Sequence, residues 1–149
     1  MLLAERFKGR DLRPFYEQLN NRGKELNIVF KTHELLSNSR LALMAAENAR
    51  DAGAYEAFHE NMFHAYFTEG LDIGSRDVIA AVAARSGIDG KEMLAAATDG
   101  RYESRLDEAR REGESLGLTG IPLFIVNNKY KITGAQPLNV FREFLDKVK

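Results

Sequence analysis

Apolar residues recur at helical spacing through most of the chain, then give way to an unbroken apolar run followed by alternation. Between Asn38 and Leu116 the pattern predicts five helices, closed by glycines able to take the left-handed cap conformation: Gly53, Gly70, Gly87, Gly100 and Gly117. The first, capped by Asn38, turns Leu41, Met44, Ala45, Ala49 and Ala52 inward; the second presents Tyr55, Phe58, Met62, Phe63, Tyr66 and Phe67. Ser75 is placed to cap a third helix with Val78, Ile79 and Val82 inward, and Asp89 with Glu92 forms a capping-box-like start to a fourth. In the fifth, Tyr102, Leu106, Ala109, Gly113 and Leu116 recur at steps of four and three, and Arg105, Asp107, Glu108, Arg110, Arg111 and Glu112 supply a solvated charged face.

Upstream, Met1 to Lys8 reads as a frayed helical turn. Asp11 caps a helix with Pro14 in its first turn, ending at Gly23, and Asn27-Ile28-Val29-Phe30-Lys31 reads as a short strand. Downstream, Leu123-Phe124-Ile125-Val126 reads as a buried strand. Asn127-Asn128 suits a two-residue turn returning the chain antiparallel as Lys129-Tyr130-Lys131-Ile132, and Pro137 opens a last helix with Leu138, Phe141, Phe144, Leu145 and Val148 on its apolar side. The predicted layout is helices, hairpin, helix, an α/β chain that is mostly α.

Composition narrows the function. With 149 residues and no repeat or linker, the chain is expected to form one domain. Its 21 basic and 22 acidic residues nearly cancel and form no basic block, so nucleic acid is not an expected partner. No apolar run reaches the ~20 residues of a membrane helix, and the early charges Glu5 and Arg6 do not fit a secretory signal, so no membrane partner and a cytoplasmic location are expected. The absence of cysteine removes disulfides, thiolate ligands and Cys-x-x-Cys redox chemistry from these residues.

Little else is placed for chemistry. His59 and His64 are five apart, roughly 140° around a helix, so they do not form an i, i+4 metal pair. With His33 alone upstream, the histidines read as surface or satisfied groups, and no metal or cofactor is expected. No serine lies in a Gly-x-Ser-x-Gly elbow, and the glycines follow helices without phosphate-loop spacing. The Tyr55–Phe67 aromatics read as core. Pro122 is the remaining oddity. At a strand start its missing N–H is tolerated, and since only ~5–6% of X–Pro bonds are cis, position alone favours trans.

The run from Thr119-Gly120-Ile121-Pro122 through Leu123-Phe124-Ile125-Val126-Asn127-Asn128-Lys129-Tyr130, with Gly134-Ala135-Gln136, resembles the C-terminal signature of the DsbA-like thioredoxin superfamily, most closely its FrnE-type dithiol oxidoreductases. Ala65-Tyr66-Phe67-Thr68-Glu69-Gly70-Leu71-Asp72-Ile73 and the Asn38-Ser39 helix start resemble the same family's inserted helical domain. The resemblance implies an incomplete thioredoxin-like fold in residues 1–149, with a helical insertion at 33–117 and the C-terminal part of the fold at 118–149. It implies a cis Ile121–Pro122 bond, and backbone groups of Thr119, Gly120, Ile121 and Pro122 that hold a peptide or thiol substrate. It also implies that the strand–helix–strand unit carrying Cys-x-x-Cys is missing, so the chain is expected to be redox-inactive by itself. One edge of the 123–126 strand is then open. The expected cover is the 27–31 strand, a second copy in a homodimer, or a complementing N-terminal half. Two other functions fit the same resemblance: a non-catalytic peptide-binding or assembly module, and a glutathione-using relative such as the kappa-type transferases.

Overall fold

A computed structural model of the protein describes residues 1–148. The chain forms two compact units, Met1–Leu106 and Asp107–Lys149.

The first unit is helical. Its core is built by α3 (Arg40–Asp51), α4 (Tyr55–Phe63), α5 (Arg76–Arg85) and α6 (Gly90–Thr98), which bury Phe58, Ile79, Val82 and Met93 completely. Alanines make the close packing possible: Ala45, Ala49 and Ala83 are fully buried, and Gly90 stands where an added Cβ would lie 2.8 Å from the Ala80 carbonyl oxygen. The predicted stops hold, since Gly53, Gly70, Gly87, Gly100 and Gly117 all have φ between 70° and 89°. Asp89 caps α6 by accepting from the Lys91 and Glu92 N–H groups at 2.8 and 3.0 Å. Ser75 occupies the cap position of α5, but its hydroxyl makes no cap bond. Ala52, expected inward, is exposed because α3 ends one residue before it.

Two larger expectations also fail in this unit. Residues 27–31 form no strand. Asn27 turns left-handed at φ 55°, and the backbone beyond it is satisfied by other partners: the Asn20 amide accepts from Phe30 N–H and donates to the Phe30 carbonyl, at 2.7 and 2.9 Å, and Lys31 N–H donates to the Phe67 carbonyl. The segment is therefore engaged within Met1–Leu106 and does not extend the hairpin sheet. The aromatic stripe is not wholly core either. After Phe63 the chain continues as a π-helical stretch, His64–Thr68, closed by Glu69 N–H on the His64 carbonyl at 3.0 Å. Phe58 and Met62 are buried, whereas Phe63 is 52% exposed and Tyr66 and Phe67 are half-buried.

The N-terminal part of this unit contains α1 (Leu3–Arg6) and α2 (Arg13–Gly23), the latter starting just after Asp11, whose carboxylate accepts from Arg13 N–H. Hydrogen bonds from Leu3 N–H to the Glu34 carbonyl and from Leu36 N–H to the Met1 carbonyl, 2.8 and 2.9 Å, hold the chain start against residues 34–36.

The second unit takes most of α7 (Glu103–Ser115), then a two-stranded antiparallel sheet and α8 (Leu138–Lys147). Strand β1 (Leu123–Val126) pairs with β2 (Tyr130–Thr133) in the register Leu123↔Thr133 to Val126↔Tyr130. The connection is three residues, one more than expected. Asn127 and Asn128 take φ 54° as their types allow, while Lys129 closes the turn by donating to the Val126 carbonyl and leaves the ladder to begin at Tyr130. Strand β1 is not buried as its composition suggested. Leu123, Ile125 and Val126 are half-covered, and Phe124 is 42% exposed although Phe141 of α8 meets it edge-on at 4.8 Å.

Candidate substrate-docking site

In the second unit α7 is terminated by Gly117 at φ 72°, and Leu118 N–H returns to the Gly113 carbonyl at 2.9 Å. The chain then runs without regular structure through Thr119, Gly120 and Ile121 to Pro122, and the Ile121–Pro122 peptide bond is cis. The far end of the segment is anchored. The Pro122 carbonyl accepts from Gly134 N–H at 2.8 Å, and the Gln136 side-chain amide donates to the Thr133 carbonyl at 2.9 Å, so Gly134-Ala135-Gln136 clasps the open end of the hairpin. At the other end of the hairpin, Asn127 donates to the Val148 carbonyl at 3.1 Å. Lys131 Nζ donates to the Leu116 carbonyl, fastening β2 to the end of α7.

All four residues 119–122 are exposed, Ile121 at 85%. The backbone N–H and carbonyl groups of Thr119, Gly120 and Ile121 make no hydrogen bond to any described residue. An apolar side chain held out in solvent beside free backbone groups can receive an extended chain, which uses the same groups in strand-type pairing. The segment carries neither an ionisable group nor a thiol, so it can hold and orient but cannot exchange sulfur. Among the described residues the sheet has two strands, so β1 pairs on one edge only.

The titratable groups of the first unit do not converge. Among the described residues no three His, Asp or Glu side chains group as metal ligands do. His59 stacks between Tyr55 and Phe63, with ring centroids 5.4 and 4.4 Å away. Glu69 takes Arg85 at 2.6 Å and His64 at 3.1 Å; chiefly the Arg85 hydrogen bond holds its carboxyl below the ordinary value. Asp51 is held low in the same way by Arg105, which reaches it at 2.8 Å, with Tyr102 Oη donating at 3.1 Å. These are exposed structural ion pairs.

His33 departs from the expected surface or satisfied histidine. It is buried, its ring stacks on Tyr66 at 4.4 Å, and its Nε2 has no hydrogen-bond partner. Burial first, and Lys31 second, hold it below the ordinary histidine value. A group kept neutral in the fold but free to protonate when unfolded weakens the fold as pH drops below its unfolded pKa, ordinarily about 6.5. The urea midpoint is therefore expected to fall between pH 7 and pH 5, and His33→Gln to flatten that decline. The depressed Glu69 and Asp51 carboxyls act in a lower window, below about pH 4.3. A native midpoint that rises on acidification to pH 5 would reverse the assignment.

The second unit thus presents an exposed Thr119-Gly120-Ile121 segment that leads through a cis proline into a hairpin backed by a helix, and the first unit is helical. Residues 12–146 match the DSBA-like thioredoxin domain, and the chain belongs to that family. It is also similar in structure to a probable DsbA oxidoreductase from Streptomyces coelicolor, with a TM-score of 0.84 at 21% identity over 97% of this chain and 64% of that one. The chain thus spans less than two thirds of that protein's length, and the likeness concerns the fold. No curated protein matches this chain.

Proposed function

We propose that this chain is the substrate-holding scaffold of a FrnE-type thiol–disulfide oxidoreductase, redox-inactive by itself, and that Thr119, Gly120, Ile121 and Pro122 dock an extended peptide or thiol substrate. The observation that carries this reading is the row of unengaged backbone groups at Thr119–Ile121 beside the proline, in 149 residues that contain no cysteine. Disulfide exchange requires a thiolate to attack a disulfide sulfur and form a mixed disulfide. The attacking sulfur must then come from a Cys-x-x-Cys strand–helix–strand unit outside these residues. The free edge of β1 is where such a unit, or a second copy of this chain, would add a strand. In sedimentation velocity at micromolar concentration, a dimer favours the second copy and a monomer the complementing unit. No helix among the described residues is long and apolar enough to cross a membrane, and the proposed setting is the cytoplasm.

Docking is tested by amide chemical-shift mapping while a cysteine-free extended peptide is added. Saturable shifts at Thr119, Gly120 and Ile121 are expected. Their absence, or shifts confined to Met1–Leu106, would contradict the docking role. The same result without any redox turnover, whatever unit is supplied, would favour the second reading, a non-catalytic peptide-binding module.

A further inference from the structure

The first unit contains a cavity lined by its own residues. Its volume is about 450 Å³, within the range of about 300–1,000 Å³ typical of small-molecule sites. The walls come from α1, α2 and the π-helical stretch: Leu3, Phe15, Leu19, Tyr66 and Phe67 are among them, and His33 contributes its ring. The wall is predominantly aromatic and aliphatic, which suits an apolar body. Lining it as well are Arg6, Arg10 and Asp11, which are exposed and therefore stand at its opening.

These three charges are not equivalent. Asp11 is committed to Arg13, whose Nε and Nη2 donate to its carboxylate at 2.8–3.0 Å. Arg6 and Arg10 form no ion pair with any described residue; the Arg6 guanidinium lies 6.0 Å from the Phe7 ring centre. The mouth therefore carries two uncommitted cations. The remaining lining residues are of uncharged types apart from His33, which burial first, and Lys31 second, hold below the ordinary histidine value. An apolar interior below an unpaired cationic opening is asymmetric, and the ligand that complements it must be asymmetric in the same sense.

We propose that this cavity binds a small amphipathic monoanion, an aliphatic or aromatic carboxylic acid, with its apolar body among Leu19, His33, Tyr66 and Phe67 and its carboxylate at Arg6 and Arg10. The site is anchored for this. The Leu3–Glu34 and Leu36–Met1 backbone bonds hold α1 in place, and Arg6 lies at the end of that helix. The Tyr66–His33 stack fixes the inner wall. The proposal does not depend on the redox reading, because none of these residues belongs to the 119–122 segment.

Calorimetric titration of the full chain with decanoate, below its micellar concentration, and with 1-decanol tests it. Decanoate is expected to bind saturably. In the double variant Arg6→Gln, Arg10→Gln its affinity should fall at least about tenfold while that of 1-decanol is unchanged. Leu19→Trp, which fills the cavity, should abolish binding of both. The arginine variant alters only exposed side chains and decides the matter even where the tryptophan variant folds poorly. No saturable decanoate binding, or equal decanoate affinity in the wild-type and arginine-variant chains, would overturn the proposal. The latter result would indicate a cavity that takes any apolar segment.

Discussion

Phe58→Ala is expected to destabilise the Met1–Leu106 unit by about 3–5 kcal/mol, the range for deleting a fully buried phenylalanine. The ring is 0% exposed and sits in α4 within the cluster shared by α3, α5 and α6, so its loss leaves a cavity that fixed helices cannot readily close. A typical domain has about 5–15 kcal/mol of stability in total, so the variant would fall near the folding threshold. Equilibrium urea unfolding followed by far-ultraviolet circular dichroism reads the change. Phe63→Ala is the internal comparison: the same side chain lies on the same helix but is 52% exposed, and its removal should cost much less. Equal costs would mean that α4 does not turn Phe58 inward and Phe63 outward.

Much of the helical unit was legible because its signals are local. Glycine after each apolar stripe, Asp89 before α6 and the spacing of Ile79 and Val82 each depend on a few neighbouring residues, and each appears in the structure. The hairpin was legible for the same reason, except that Lys129 belongs to its connection; the extra residue is set by the register, which no single residue announces. The failures were non-local. Asn27–Lys31 has strand-like composition, yet its hydrogen bonds go to Asn20 and Phe67, ten and thirty-six residues away in the cases of Phe30 and Lys31. Tyr66 and Phe67 share their spacing with a core stripe, but the π-helical stretch shifts their phase so that they wall a cavity. His33 is a lone histidine in a polar stretch, and the rings that gather around it, Tyr16, Tyr66 and Phe67, come from elsewhere in the chain. In the Thr119–Pro122 segment position singled out Pro122 alone and favoured trans, whereas the resemblance implied the cis bond that the structure has. The segment's composition is unremarkable, and what distinguishes it is a row of unengaged backbone groups, which side-chain patterns do not report.

The proposed role is that of a scaffold for thiol–disulfide exchange in 149 residues that contain no cysteine. Thiol–disulfide exchange proceeds through a thiolate and a mixed disulfide, and neither can form on a chain with no cysteine. The proposed docking at Thr119–Pro122 would orient a substrate but supplies no thiolate to attack its disulfide. The difference between the chain with and without a supplied dithiol unit is therefore predicted to be all or nothing. Insulin reduction by dithiothreitol, followed by turbidity, is the most direct measurement. With this chain alone the rate should equal that of dithiothreitol without protein, and with a Cys-x-x-Cys strand–helix–strand unit joined ahead of Met1 it should rise well above it, beyond what that unit achieves unattached. Catalysis by the cysteine-free chain alone, or a joined unit no faster than the free one, would contradict the account.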